Sequence, residues 1–212
     1  MVRSLVEALA GKLVRLEPLA PGHEDALWEA SRDVRTWRWL SFVQPRTRDE
    51  WRAWMDDALS QRDQIPFATL VGGVVRGSTR FLNVRPQDRS VEIGWTWLHP
   101  DAWGTGANIE AKYLQLEHAF ESMGCVRVEF KTDALNERSR AALAALPAAF
   151  EGVHRKHMIV RGGERRDSAW YSVLDDEWPQ VRESLRRRLR EHGVLEAGHR
   201  DERERERDDD RR

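Results

Sequence analysis

The feature that most constrains this chain is a strand, a glycine turn and a long helix written without a break from Val91 to Met123. In Val91-Glu92-Ile93-Gly94-Trp95-Thr96-Trp97-Leu98 the residues alternate with the period of an extended strand. Val91, Ile93, Trp95 and Trp97 are therefore expected on one apolar face, and Glu92 and Thr96 on the other. After His99-Pro100, the turn Trp103-Gly104-Thr105-Gly106-Ala107-Asn108 opens a helix with a seam of Ile109, Tyr113, Leu116, Phe120 and Met123, and Gly124 ends it. Unpaired N–H groups at such a helix start favour an anion, and glycine lets the backbone approach it closely. A phosphate cradle is one reading of the turn; relief of backbone strain is the other. Neither a Gly-x-x-x-x-Gly-Lys-Ser/Thr loop nor a Gly-x-Gly-x-x-Gly βαβ opening is present, which disfavours the common ATP and dinucleotide sites.

The rest of the chain reads as one domain built around this unit, over residues 1–195, with a tail at 196–212. A strand at Lys12–Leu19 leads into a helix with Ala26, Leu27, Ala30 and Val34 on one face. Thr47-Arg48-Asp49-Glu50 is a capping-box pattern that starts a second helix. Three strand-like segments between Pro66 and Leu98, broken at Gly72-Gly73 and at residues 85–88, suit an antiparallel meander. A strand follows near 126–133, then a helix that Asn136 caps and Pro147 ends. A hairpin over 150–174, turning at Gly162-Gly163, and an amphipathic helix with Trp178, Val181, Leu185 and Leu189 complete the domain. Beyond Gly198 the chain is almost wholly Arg, Glu and Asp, with nothing apolar to offset ordering entropy, so a disordered tail is expected.

Composition narrows the function. A net charge of −1 argues against a nucleic-acid binder, which relies on excess Lys and Arg to displace counterions. No apolar run approaches the roughly 20 residues that span a bilayer, and the N-terminus lacks a signal peptide's apolar block. The single cysteine, Cys125, sits in an apolar stretch and reads as a packed thiol. A cytoplasmic protein is expected. No cluster of His and Cys at ligand spacing accompanies His154 and His157, so no metal site is expected.

Four segments in order, Val91–Pro100, Trp103–Lys112 with His118-Ala119-Phe120, Arg127–Asp133, and Asn136–Leu143, resemble the GNAT superfamily of acyl-CoA-dependent N-acyltransferases. Within it the chain is similar to the branch of ribosomal-protein N-terminal acetyltransferases. The resemblance covers about Lys12 to Leu189. It implies an α/β (α+β) fold with a mostly antiparallel central sheet flanked by helices, and a splayed strand pair, 91–98 and 125–132, that binds acyl-CoA. It also implies transfer of an acyl group, acetyl by default, from acetyl-CoA or another acyl-CoA to a primary amine of a small molecule or a protein N-terminus by direct attack. The backbone of Trp103, Gly104, Thr105, Gly106, Ala107 and Asn108 would hold the pyrophosphate. Leu98 and His99 at the strand end would meet the pantetheine arm, with Asn136 and Arg140 on the cofactor-side helix. Ser139 corresponds to a proposed proton donor to the departing thiolate; it also suits the first turn of a helix capped by Asn136.

The residues offer two candidate bases. Strand alternation places Glu92 on a polar face near the acyl end, where it is a base or a surface carboxylate paired to Arg. Asp167, entering the last strand, is a base or the organiser of a hairpin. Trp37, Trp39 and Trp103 are candidates to line an acceptor cleft, with core packing the alternative for each of the ten Trp residues. Two positions depart from the family pattern: Asp101 stands where Gln or Arg is usual, and Pro147 where Gly is usual. They keep open a catalytically silent acyl-CoA-binding module of a regulatory or biosynthetic complex. Nucleic acid and membrane are not expected partners; a homodimer is compatible with the sequence.

Overall fold

The structure, a computed structural model, describes residues 7–196. The expected disordered tail lies, from residue 197, outside the described residues. An eight-stranded sheet organises the chain, in the order β1-β2-β3-β4-β5-β6-β8-β7. Its strands are β1 (Leu9–Ala10), β2 (Val14–Pro18), β3 (Ile65–Val71), β4 (Val74–Arg85), β5 (Ser90–Leu98), β6 (Arg127–Asp133), β7 (Ala149–Val160) and β8 (Glu164–Leu174). Every adjacent pair is antiparallel except β5 and β6. Those two are parallel because helix α3 (Ala107–Glu117) joins them as a crossover, which a short hairpin cannot replace.

Helices cover both sheet faces. On one, α3, α4 (Glu137–Ala145) and α5 (Trp178–Glu191) bury Ile109, Leu116, Leu143, Leu185 and Leu189 against Phe67, Val91 and Val128. On the other, α1 (Glu24–Ala30) and α2 (Arg48–Ser60) bury Leu27, Trp28, Trp51 and Met55 against Ala68 and Trp97. The Thr47 capping box forms: the Glu50 amide donates to Thr47 Oγ1 at 3.2 Å, and Glu50 Oε2 accepts from the Thr47 amide at 3.4 Å. Val34, expected on the α1 face, instead lies in a separate 3-10 turn and is exposed.

Two departures from the simple periodic reading shape the site. In β5, Trp97 pairs with Ser78 and Gly94 with Arg80, so Trp95 and Thr96 together oppose the single residue Thr79. This is a β-bulge, and Trp95 takes the left-handed φ of 49° that absorbs the extra residue. The alternation therefore shifts by one at the bulge. Val91 and Ile93 pack with α3, whereas Trp97 packs with α1 and α2. Thr96 turns to the α3 face and does not share one with Glu92; its hydroxyl meets Lys112 Nζ at 2.8 Å.

The second departure is at the end of α4. Ala148 donates to Leu143 O at 3.1 Å, the outer hydrogen bond of a Schellman ending. The inner bond needs an N–H at residue 147, and Pro147 has none. Pro147 stands at φ 26°, far from the value near −65° that its ring prefers.

Candidate functional site

The glycine turn is held from behind and open in front. Its entry is fixed by hydrogen bonds from the Trp103 amide to Pro100 O at 2.9 Å and from Trp103 Nε1 to Leu98 O at 2.9 Å. Thr105 Oγ1 donates to Ala102 O at 2.8 Å and accepts from the Ala107 amide at 3.3 Å, so this side chain is used within the turn. Among the described residues, the amides of Gly104, Thr105, Gly106 and Asn108 find no acceptor outside it. Gly106 and Asn108 are among the orphan donors that any helix start leaves, and Gly104 and Thr105 stand in the turn just before it.

The two glycines serve different needs. A Cβ at Gly104 would meet nothing within 4 Å, so that backbone borders open space. A Cβ at Gly106 would meet Val194 Cγ2 at 2.9 Å and His192 Cβ at 3.1 Å, so this glycine admits the end of α5 against the turn. Both have positive φ, 76° and 87°, which a side chain would strain. Asp101 turns away from the turn's open side: its carboxylate is exposed and lies 3.3 Å from His99 Nδ1. His99 also accepts from the Asp101 amide, and neither residue reaches the cavity wall.

That open side is one end of a cavity of about 490 Å³. It follows the gap between β5 and β6, which pair only at Ser90–Arg127, Val91–Val128 and Glu92–Glu129 and then diverge. Beyond Glu92 the facing edges of both strands lack each other as partners, which leaves backbone groups for an extended ligand to meet. Helix α4 forms the far wall with Arg138, Ser139, Ala142, Leu143 and Leu146, a set at helical spacing. Asn136 lines the cavity too, while its Oδ1 caps the helix by accepting from the Ser139 amide at 3.2 Å.

Helical register decides between the two arginines of α4. Arg140, expected at the cofactor, points the other way, donating to the Tyr171 hydroxyl and to Ala134 O, each at 3.2 Å. Arg138 lies over the Trp103 ring at 3.9 Å, inside the cavity, and burial lowers the pKa of its guanidinium. Arg188 of α5 and His192 at its C-cap close the same end.

At the opposite end stands Glu92, fully buried. Its Oε2 accepts from Asn83 Nδ2 at 2.8 Å and Lys131 Nζ at 3.0 Å, while Oε1 has no partner among the described residues. Glu92 is thus not the surface carboxylate paired to arginine that was its alternative reading: it is buried, and its charged partner is Lys131. Arg166 and Lys131 line the wall beside it, with Trp39, Phe42 and Trp95 around them. Arg166 donates to Ser41 Oγ at 3.1 Å, and its Nε has no partner among the described residues. Asp167 lies outside this cavity: its Oδ1 accepts from the Lys156 amide at 2.6 Å and orders the β7–β8 hairpin. Trp37 also lies outside, buried and stacked on Trp97 at 6.1 Å between ring centres, because the bulge sends Trp97 to that face. The aromatic wall rests on the Arg80 guanidinium, which lies 4.2 Å over Trp95 and 5.2 Å over Trp54.

Several residues of the cavity carried no sequence signal for this role. Lys112 is buried on α3, and Arg138, Arg166, Arg188 and His192 belong to segments rich in charge, where a solvated face is the ordinary reading. The clue available was spacing: Asn108 and Lys112 are one turn apart on the helix that the glycine turn opens.

The comparisons agree with this geometry. A family model described as an acetyltransferase (GNAT) domain matches residues 14–147. A T. thermophilus protein assigned to the acetyltransferases is 41% identical, with a TM-score of 0.82 over 87% of this chain and 98% of its own. A GCN5-related N-acetyltransferase from Brucella melitensis is 34% identical, with a TM-score of 0.81 over 85% of this chain and 84% of its own. RimJ of Mycobacterium smegmatis, in complex with CoA-disulfide, shares the fold at 23% identity, with a TM-score of 0.73 over 89% of this chain and 92% of its own. No curated protein matches. With a cradle at a helix start, a splayed parallel strand pair and a family match over more than half its length, the chain belongs to the GNAT family of acetyltransferases.

Proposed function

We propose that the protein transfers the acetyl group of acetyl-CoA to a primary amine, of a small molecule or a protein N-terminus, by direct attack within the β5–β6 gap. The observation that carries this reading is the cavity itself. It joins open amides at the α3 N-terminus to a buried carboxylate oxygen without a partner among the described residues, with the unpaired strand edges between them. An anion suits the first end, where the open amides of Gly106 and Asn108 and the helix dipole stand beside Arg138 and Arg188. An extended amide-bearing arm suits the unpaired edges of β5 and β6. Acetyl-CoA, when bound, supplies an activated acyl group and a thiolate leaving group.

In this reading Glu92 Oε1 accepts the proton of the incoming amine, directly or through a water, and Lys131 and Asn83 hold the other oxygen in place. Ser139, on the α4 wall, is within the same cavity and donates toward the departing sulfur. Trp39, Phe42 and Trp95 border the acceptor, excluding water from the reacting amine. No covalent enzyme intermediate is invoked. Cys125 is buried, and its thiol pKa is raised by that burial, the opposite of an activated nucleophile. Among the described residues no helix is long and apolar enough to cross a membrane.

The test is thermal stabilisation by acetyl-CoA, followed by thiol release across a panel of amines and peptide N-termini. Stabilisation near a millimolar and turnover of at least one acceptor are expected. Gly104→Ala, whose Cβ borders open space but strains the φ of 76°, should weaken the stabilisation, with circular dichroism of the variant checking that it stays folded. Binding with no turnover on any acceptor would assign the protein to the silent acyl-CoA-binding modules, and absence of binding would remove both readings.

A further inference from the structure

Beneath the β5 bulge lies an ionisable side chain that the roles above leave unused. Lys112 is 7% exposed and borders the cavity between the glycine turn and the splayed part of β5. Its Nζ donates to Thr96 Oγ1 at 2.8 Å and to Gln115 Oε1 at 3.2 Å, and Thr79 ties the same groups together, 2.7 Å from Thr96 Oγ1 and 3.3 Å from Gln115 Oε1. All of these partners are neutral. An ammonium carries three donors, so one remains for whatever enters the cavity. Burying a positive charge among neutral groups is costly, and burial alone pushes this amine down to about 7. Such a group is best satisfied by an anion that arrives with a ligand.

Acyl transfer creates one such anion here. As the C–N bond forms and the C–S bond breaks, the electron pair passes to sulfur, while the amine's proton goes to the base. With its phosphates at the glycine turn and its acyl group toward Glu92, acetyl-CoA would bring its sulfur to the wall between them, which Lys112 and Thr96 line. We infer that Lys112 is a catalytic residue whose ammonium pairs with the CoA thiolate as it departs, holding it until it takes a proton from solvent on release. Ser139, across the cavity, offers a hydroxyl but no charge. This inference rests on the acetyl-CoA reading above.

The experiment needs no acceptor. CoA is added to the full-length protein, binding is measured by calorimetry, and the thiolate absorbance near 240 nm is followed against pH, with CoA-free protein as the blank for Cys125. The half-ionisation pH of bound CoA should fall at least about one pH unit below that of free CoA, a tenfold gain in thiolate. Lys112→Met should restore the free value while still binding CoA, and Lys112→Arg should keep part of the shift. The other ionisable groups around the cavity are Arg35, Glu92, Lys131, Arg138, Arg166, Arg188 and His192. His192 lies against Gly106, at the glycine-turn end of the cavity, so His192→Gln serves as the control and should leave the shift in place. Bound CoA with an unshifted thiol, or a shift that survives Lys112→Met, would overturn the inference. No CoA binding at all would instead count against the acetyl-CoA reading.

Discussion

The glycine turn is positioned by a carboxylate that never reaches the cavity, and removing it is the sharpest test of how this fold is held. Glu110, in the first turn of α3, is 2% exposed. It accepts from the backbone amides of Lys12, Leu13 and Val14 at 2.8, 2.8 and 2.6 Å, which clamps the β1–β2 turn onto the start of the helix. Gly11 is part of the clamp, because a Cβ there would collide with the Glu110 carboxylate. Hydrogen bonds to a charged group contribute roughly 1.5–3 kcal/mol each, and orphaning a buried donor costs its desolvation. Lys12 is exposed, so water can replace its bond, while Val14 is buried and Leu13 partly so. Glu110→Ala should therefore cost about 3–5 kcal/mol, a large part of the roughly 5–15 kcal/mol that stabilises an ordinary domain. At about 2–4 °C per kcal/mol for a chain of this size, the melting temperature should fall by about 6–20 °C. Glu110→Gln, which keeps one oxygen, should fall between, and Gly11→Ala should resemble Glu110→Ala. Differential scanning calorimetry without ligand measures all three. A drop below about 3 °C for Glu110→Ala would show instead that water replaces the carboxylate at little cost.

Three further outcomes are expected. Lys112 has a folded pKa of about 7 against 10.5, so between those values the unfolded chain holds a proton that the folded chain has released, and stability rises with pH. Lys112→Met should remove that rise, worth about 4–5 kcal/mol across the window, as read from the wild-type minus variant difference in urea midpoints between pH 6.5 and 10. Pro147→Gly should raise stability by about 1 kcal/mol or more, because glycine takes a positive φ without ring strain and restores the missing amide donor at the end of α4; an unchanged or lower urea midpoint would show that the proline is accommodated. Arg138→Ala should weaken acetyl-CoA binding about tenfold by calorimetry, whereas Arg140→Ala should lower stability through Tyr171 and leave the binding constant within about twofold.

By itself, the sequence determined the elements and their order. Period-two and period-3.6 patterns, the Thr47 capping box, the Asn136 cap and the paired glycines are local signals, and each depends on residues within one turn or strand of it. The GNAT fold and the place of the glycine turn were legible for that reason. Contacts between distant segments decided the rest. The bulge at Trp95 exists because β5 pairs with β4 in a register that leaves one residue over, and no alternation within β5 announces it. That single residue turned Thr96 toward Lys112 and sent Trp97 into the aromatic core with Trp37. Helical register against β8 chose Arg138 over Arg140 for the cavity, and the return of α5 brought His192 to Gly106. Glu110 and Lys112 look like surface charges in a one-dimensional reading; both are buried because α3 is enclosed by the sheet, the β1–β2 turn and α5, so what they do depends on partners far away in the chain.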